Sequence, residues 1–457
     1  MKIFGWKRNK FKIFGIPVCI KHTSSEGYTT YLLGIPLFQA KQPLLAIHND
    51  FSLNLPLNTK IFDNRISYIA EKTVAPKKIH SNSDGNFVIL ATELYDTGGH
   101  TELIINIFAS MPEKDKNILF LTKMETSFSN APDKIKEIAK NANICGIEYN
   151  YYDKCWKEKL EQTYETVITK NPKSILALIH MDDVFSATLL AMLKKNTDLC
   201  LLFYNHGSHF PSLGMQFCDL ILEGANTMAQ ITKTDRRLDN TAVIGLPYLP
   251  ESDVPKFTEK AVAEKRKEIG IPTDCLCTMS GAAPYKFFDN GKSPYFEMIY
   301  RLLKRNNNLY HVVISNFKRK QKKIIFGIFE DKKIRKRMIM LPTSSNYKIL
   351  FKCADLFIDS FPVSSALTQV DLIALRIPNV VKINKDNPLW TFHEYMPENY
   401  PFSFDNISDM EQGIEHLLYD SGLRKKVTNE NYKHFLRNFE GKKIACRLIE
   451  FIHSNNG

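Results

Sequence analysis

From residue 86 onward, short apolar runs alternate with stretches in which apolar positions recur every three or four residues. The runs at 86–91, 117–121, 144–148, 174–179, 199–204 and 220–222 are too short and too uniformly apolar for exposed helices, and they predict strands buried on both faces. An apolar helix over 103–109 and helical patterns over 134–142 and 185–194 are predicted between them. The rhythm pauses at 243–250, where Gly245, Pro247 and Pro250 cluster, and a charged stretch follows to Lys267. It then resumes with strands at 275–280, 310–315, 338–341, 356–359 and 379–383, helices at 293–305, 347–354 and 367–375, and a helical C-terminal stretch over 407–452. Two parallel, doubly wound α/β domains in series are predicted, with a hinge between them and ligands at strand carboxyl ends.

The first residues differ. Phe14-Gly15-Ile16-Pro17-Val18 is echoed by Leu33-Gly34-Ile35-Pro36-Leu37, which predicts a small accessory hairpin. Residues 46–85 are weakly periodic and read as loop and linker. The expected organisation is an accessory segment and linker at 1–85, a first Rossmann-like domain at 86–250, a second at 268–425 and a helical tail at 426–457.

Length and composition agree with this division. A chain of 457 residues with 44% hydrophobic content forms more than one packed core. No apolar run reaches the roughly 18–20 residues a membrane helix needs, and Lys7, Arg8, Lys10 and Lys12 interrupt the N-terminus, so a cytoplasmic location is expected. The net charge of +12 is concentrated: residues 301–340 hold thirteen Lys/Arg against two Asp/Glu. A solvated face is one reading of residues 318–337, and an anionic membrane surface or a phosphate-bearing acceptor is the other. No nucleic-acid-binding motif accompanies the charge. Nine cysteines without a CxxC, and a lone CxC at Cys275 and Cys277, read as reduced core thiols.

Candidate chemistry lies just past the predicted strands. Gly98-Gly99-His100-Thr101 opens the first helix, where glycines admit a ligand, a helix start favours anions, and His100 is the leading candidate base. His206 and His209 sit in the loop after the fifth strand, and Asp183 follows the fourth; these are alternative bases, although Asp183 also suits a helix cap. A third ligand beside the histidine pair is missing, which argues against a metal. In the second domain Ser280, Gly281 and Lys286 follow the first strand. Asp359, Ser364, Ser365 and Thr368 follow the fourth, in an order suited to cradling phosphates at a helix start.

This last segment resembles the nucleotide-sugar loop of bacterial GT-B glycosyltransferases related to the O-GlcNAc-transferase group, through Asp359, Pro362, Thr368, Asp371, Leu375, Pro378 and Val380-Val381. The loop carrying His206 and His209 and the Gly98–Thr101 turn look like those of envelope polysaccharide transferases. Arg376 stands where the family pattern has glycine, Val363-Ser364 replaces a glycine-rich pair, and Asn379 intervenes before Val380. The resemblance implies metal-independent transfer, without a cofactor, of a sugar from a nucleotide diphosphate, uridine-linked, to a glycan, lipid-linked or protein acceptor of the cell envelope. A nucleotide-sugar epimerase on the same fold and a non-catalytic sugar- or lipid-binding scaffold are the rival readings.

Overall fold

The computed structural model describes residues 42–73, 84–96, 98–124, 131–151, 155–391 and 393–455, together with the backbone of five strands between residues 4 and 40. Those strands, β1 (Phe4–Lys7), β2 (Lys10–Ile13), β3 (Ile16–Ser24), β4 (Gly27–Leu32) and β5 (Ile35–Ala40), pair in sequence order as an antiparallel meander. The predicted hairpin thus becomes a five-stranded sheet. The echoed Phe14-Gly15 and Leu33-Gly34 lie outside the described residues.

The predicted linker is corrected by two helices, Pro43–Asp50 and Lys60–Lys72. The second buries Ile66, Ile69 and Ala70, one helical face, against the helix Val184–Asn196. Ile61 and Tyr68 are exposed apolar residues off that face, which blurred the periodicity.

The first α/β half is built on β6 (Asn86–Ala91), β7 (Asn117–Leu121), β8 (Asn143–Gly146), β9 (Pro172–Leu178), β10 (Cys200–Tyr204), β11 (Leu220–Glu223) and β12 (Thr241–Val243). All pairings are parallel, and the spatial order is β12-β11-β10-β9-β6-β7-β8. Every residue of β7 and β10 is buried, as expected for strands covered by helices on both faces. The second half uses β13 (Leu276–Gly281), β14 (Leu309–Ile314), β15 (Met338–Leu341), β16 (Leu356–Ile358), β17 (Asn379–Lys382) and β18 (Ser403–Phe404), again all parallel, in the order β15-β14-β13-β16-β17-β18. In each sheet the winding direction reverses beside the first strand, between β6 and β9 and between β13 and β16. The crevice outside the strand carboxyl ends at such a reversal is where ligands bind in open α/β sheets.

The chain crosses between the halves twice. It leaves the first half through 243–250 and returns after the helix Ser421–Asn438, placing the terminal helix Gly441–Asn455 against the first half's helix Gly99–Ser110. The crossings touch: Tyr248 N donates to Phe439 O at 3.2 Å, and a Cβ on Gly441 would lie 2.0 Å from Tyr248 O. Only glycine permits that approach.

Candidate active site

A cleft of about 400 Å3 lies between the two reversal points and takes residues from both halves. On the first half's wall, the chain leaving β6 turns at Gly98, whose φ of +133° suits glycine, and enters the helix Gly99–Ser110. His100, in the first turn, places Nε2 2.7 Å from the carbonyl oxygen of Leu178 at the end of β9. A carbonyl only accepts, so the neutral ring carries its proton on Nε2, and Nδ1, buried and without a partner, keeps its lone pair. Burial, reinforced by His206 and His180, holds His100 well below the ordinary histidine range.

His206, with its ring centroid 4.8 Å from that of His100, is pushed down to about 4 by burial and then by His180. Burial, then the charges of Lys286 and Arg236, brings His209 to about 4 as well. The loop carrying both is clamped from behind: Arg236 Nη2 donates to the carbonyls of Ser208 and Phe210, each at 2.8 Å. Beneath it Asn205 Nδ2 donates to the fully buried Glu223 at 2.9 Å. This wall therefore offers imidazoles that are neutral at pH 7. His180, whose role the sequence did not single out, stacks on Tyr95 and lies 5.4 Å from His100 between ring centroids.

On the opposite wall, Lys286 follows β13 and reaches the loop after β16. Its Nζ donates to the carbonyl of Ser364 at 2.6 Å and to Ser365 Oγ at 3.3 Å. Burial pushes the ammonium down to about 8, against the pull of Asp359. Ser365 is the N-cap of the helix Ala366–Ala374, yet no side chain caps that end, and the first-turn residues Ala366, Leu367 and Thr368 line the cleft. Uncapped N–H groups, the helix dipole and an adjacent ammonium make an anion-binding corner. Gly281 lines the same corner, where an added Cβ would press on Phe351 at 3.1 Å. The walls meet at Gly99, since a Cβ there would lie 3.8 Å from Leu367 Cδ2.

Four predicted site residues are placed elsewhere. Asp183 is buried as the N-cap of Val184–Asn196, accepting from Ser186 N at 3.0 Å and from the hydroxyls of Thr92 and Ser186 at 2.5 and 2.7 Å, and so is not a cleft base. Ser280 points into the core, where its hydroxyl bonds Tyr295 and the carbonyl of Ile358, because strand alternation turns it away from the cleft. Asp359 and Ser364 lie behind the loop after β16: Asp359 accepts from Ser360 N at 2.8 Å, from Ser365 N at 3.3 Å and from the Ser364 hydroxyl. They brace the loop that presents Ser365.

The cleft also contains residues the sequence did not mark for chemistry, among them Tyr347, Ser344 and Tyr395. Asp371, noted only through the family pattern, accepts from Tyr248 OH at 2.6 Å and from Tyr347 OH at 3.0 Å. Burial raises it to about 6, with Lys348 and those hydroxyls opposing. Tyr248 lies on the crossing segment, far from Asp371 in sequence, and nothing local in the chain signals the contact. Among the described residues no group of three or more His, Cys, Asp or Glu is placed to hold a metal ion.

No protein-family model matches the chain, and no curated protein matches it in sequence. Solved structures do match. A glycosyltransferase from Rickettsia africae is similar at 12% identity, covering 81% of this chain and 99% of that one with a TM-score of 0.63. The Anabaena protein HepE, solved with UDP-glucose, is similar at 13% identity over 80% of this chain and 99% of its own, with a TM-score of 0.62. An O-GlcNAc transferase from Thermobaculum terrenum is similar at 10% identity over 91% of this chain and 77% of its own, with a TM-score of 0.55. At such identities the likeness is one of architecture, and it establishes that this chain has the GT-B fold, two parallel α/β halves facing each other across a cleft.

Proposed function

We propose that the protein is a glycosyltransferase that moves a sugar from a uridine diphosphate donor to an acceptor hydroxyl of the cell envelope. One observation carries the reading: a buried ammonium and an uncapped helix start face neutral imidazoles across a single cleft. The acceptor oxygen bonds to the anomeric carbon as the bond from that carbon to the phosphate oxygen breaks. The hydroxyl proton passes to His100 Nδ1, with His206 and His209 shaping the acceptor side. Charge arriving on the departing diphosphate is met by Lys286, Ser365 Oγ and the N–H groups at the start of Ala366–Ala374, so that protein groups rather than a divalent cation do this work. Gly98 and Gly99 leave room for the reacting sugar between the walls. The neighbour HepE, solved with UDP-glucose, supports the donor class. The envelope acceptor is supported by the cationic segment at 301–340. No helix among the described residues is long and apolar enough to cross a membrane, so such an acceptor would be met at a surface.

Incubation with a panel of nucleotide sugars tests this. Thermal stabilisation by UDP-sugars and release of UDP that accelerates with an envelope glycan or lipid-linked acceptor is the expected result. A sugar altered but still joined to its nucleotide would identify an epimerase. Stabilisation without turnover on any acceptor would identify a binding scaffold.

A further inference from the structure

The thirteen cations between residues 301 and 340 divide into two kinds. Some are consumed by the fold. Arg301 and Arg305 pair with Glu411 and Glu415, and the Arg337 guanidinium donates to the carbonyls of Leu303, Asn306 and Leu309. Others have no such task. The five cations between 318 and 323, together with Lys332, Lys333 and Lys336, are exposed and make no side-chain ion pair or hydrogen bond. Asp331 is the N-cap of the short helix Lys332–Arg335, accepting from Lys333 N at 2.7 Å, which leaves Glu330 as the free acid in the segment.

The helix Arg319–Ile328 buries Ile325, with Phe329 just beyond its end, and turns its cationic side outward. Between the two groups of cations Phe326 stands 45% exposed, with the Arg335 guanidinium 5.8 Å from its ring centroid. A basic surface with one protruding aromatic suits an interface of fixed negative charge over hydrocarbon. Its position is also informative. Ile314, the last residue of β14, lines the cleft, as does Thr343, whose N–H donates to Asn316 Oδ1 at 3.1 Å. The cationic helix begins three residues after Asn316, near the same cleft without lining it.

We propose that residues 318–336 dock the protein on a bilayer of anionic phospholipid, with Phe326 seated among the headgroups and the cleft's rim held against the surface. Docking requires no turnover, so its failure would leave the nucleotide-sugar assay untouched and would remove only the support this segment gives to an envelope acceptor.

Co-sedimentation of the full chain with phosphatidylcholine vesicles, with and without phosphatidylglycerol, tests it. Binding is expected only to the anionic vesicles and is expected to weaken with added salt. The double variants K320E/K323E and K332E/K333E should each bind about tenfold more weakly or worse, and F326S should lose a smaller factor. These positions are exposed, so an unchanged Tm checks that the variants fold. Equal binding to neutral vesicles, indifference to charge reversal, or preferential binding to single-stranded RNA at the same salt would overturn the proposal.

Discussion

The two halves share one topology and carry opposite equipment. At its reversal point the first half presents imidazoles that burial keeps uncharged, each with a ring nitrogen left without a partner. At its own reversal point the second half presents an ammonium and a helix start. In the proposed transfer the same fold would supply a proton acceptor on one side and anion neutralisation on the other, and the difference lies in a few loop residues. The proposed transfer needs imidazoles that stay neutral beside Lys286 to take the proton, and a charge already fixed on the far wall to meet the departing diphosphate.

Variants can separate these roles. His100→Asn should cost the largest factor, about a hundred- to ten-thousand-fold in turnover, with UDP binding unchanged by calorimetry. Equal losses in binding and turnover would move His100 out of the proton's path. Lys286→Met should lower turnover by about a hundred- to a thousand-fold and also weaken UDP binding, since its charge acts on the phosphates themselves. Asp183→Ala should behave differently from both. It removes a cap and orphans the Thr92 and Ser186 hydroxyls, so stability should fall by on the order of 2 kcal/mol in denaturant titration, while turnover in the folded variant holds.

The mildest effect concerns pH. Folded His206 and His209 protonate near 4, whereas in the unfolded chain they do so near 6.5. Between those values the unfolded state binds more protons, so stability should decline as pH falls from about 6.5 to about 4. His206→Gln combined with His209→Gln should flatten that slope in Tm measurements, and an unchanged slope would show that other groups set it.

The strands of both halves were legible because sheets covered on two faces produce unbroken apolar runs, as at Val88 to Ala91 and Leu201 to Phe203. The helices Pro43–Asp50 and Lys60–Lys72 were not, because one is short and the other carries exposed Ile61 and Tyr68 off its buried face. Within the site, the loops were legible and the facing of individual residues was not. Ser280 and Gly281 are neighbours that face core and cleft, as Ser364 and Ser365 face loop interior and cleft, and composition does not distinguish such pairs. Contacts between the halves, such as Tyr248 with Asp371, depend on folding distant segments together and leave no local pattern.

The double passage of the chain beside Tyr248 and Gly441 governs how the halves can move. A single tether would act as a ball joint. Two backbone crossings held together by Tyr248 N and Phe439 O tie the halves twice and should restrict their relative rotation more than one tether would. The terminal helix Gly441–Asn455 packs on the half that begins at residue 86, so trimming it should release the second tether and leave the halves freer to twist.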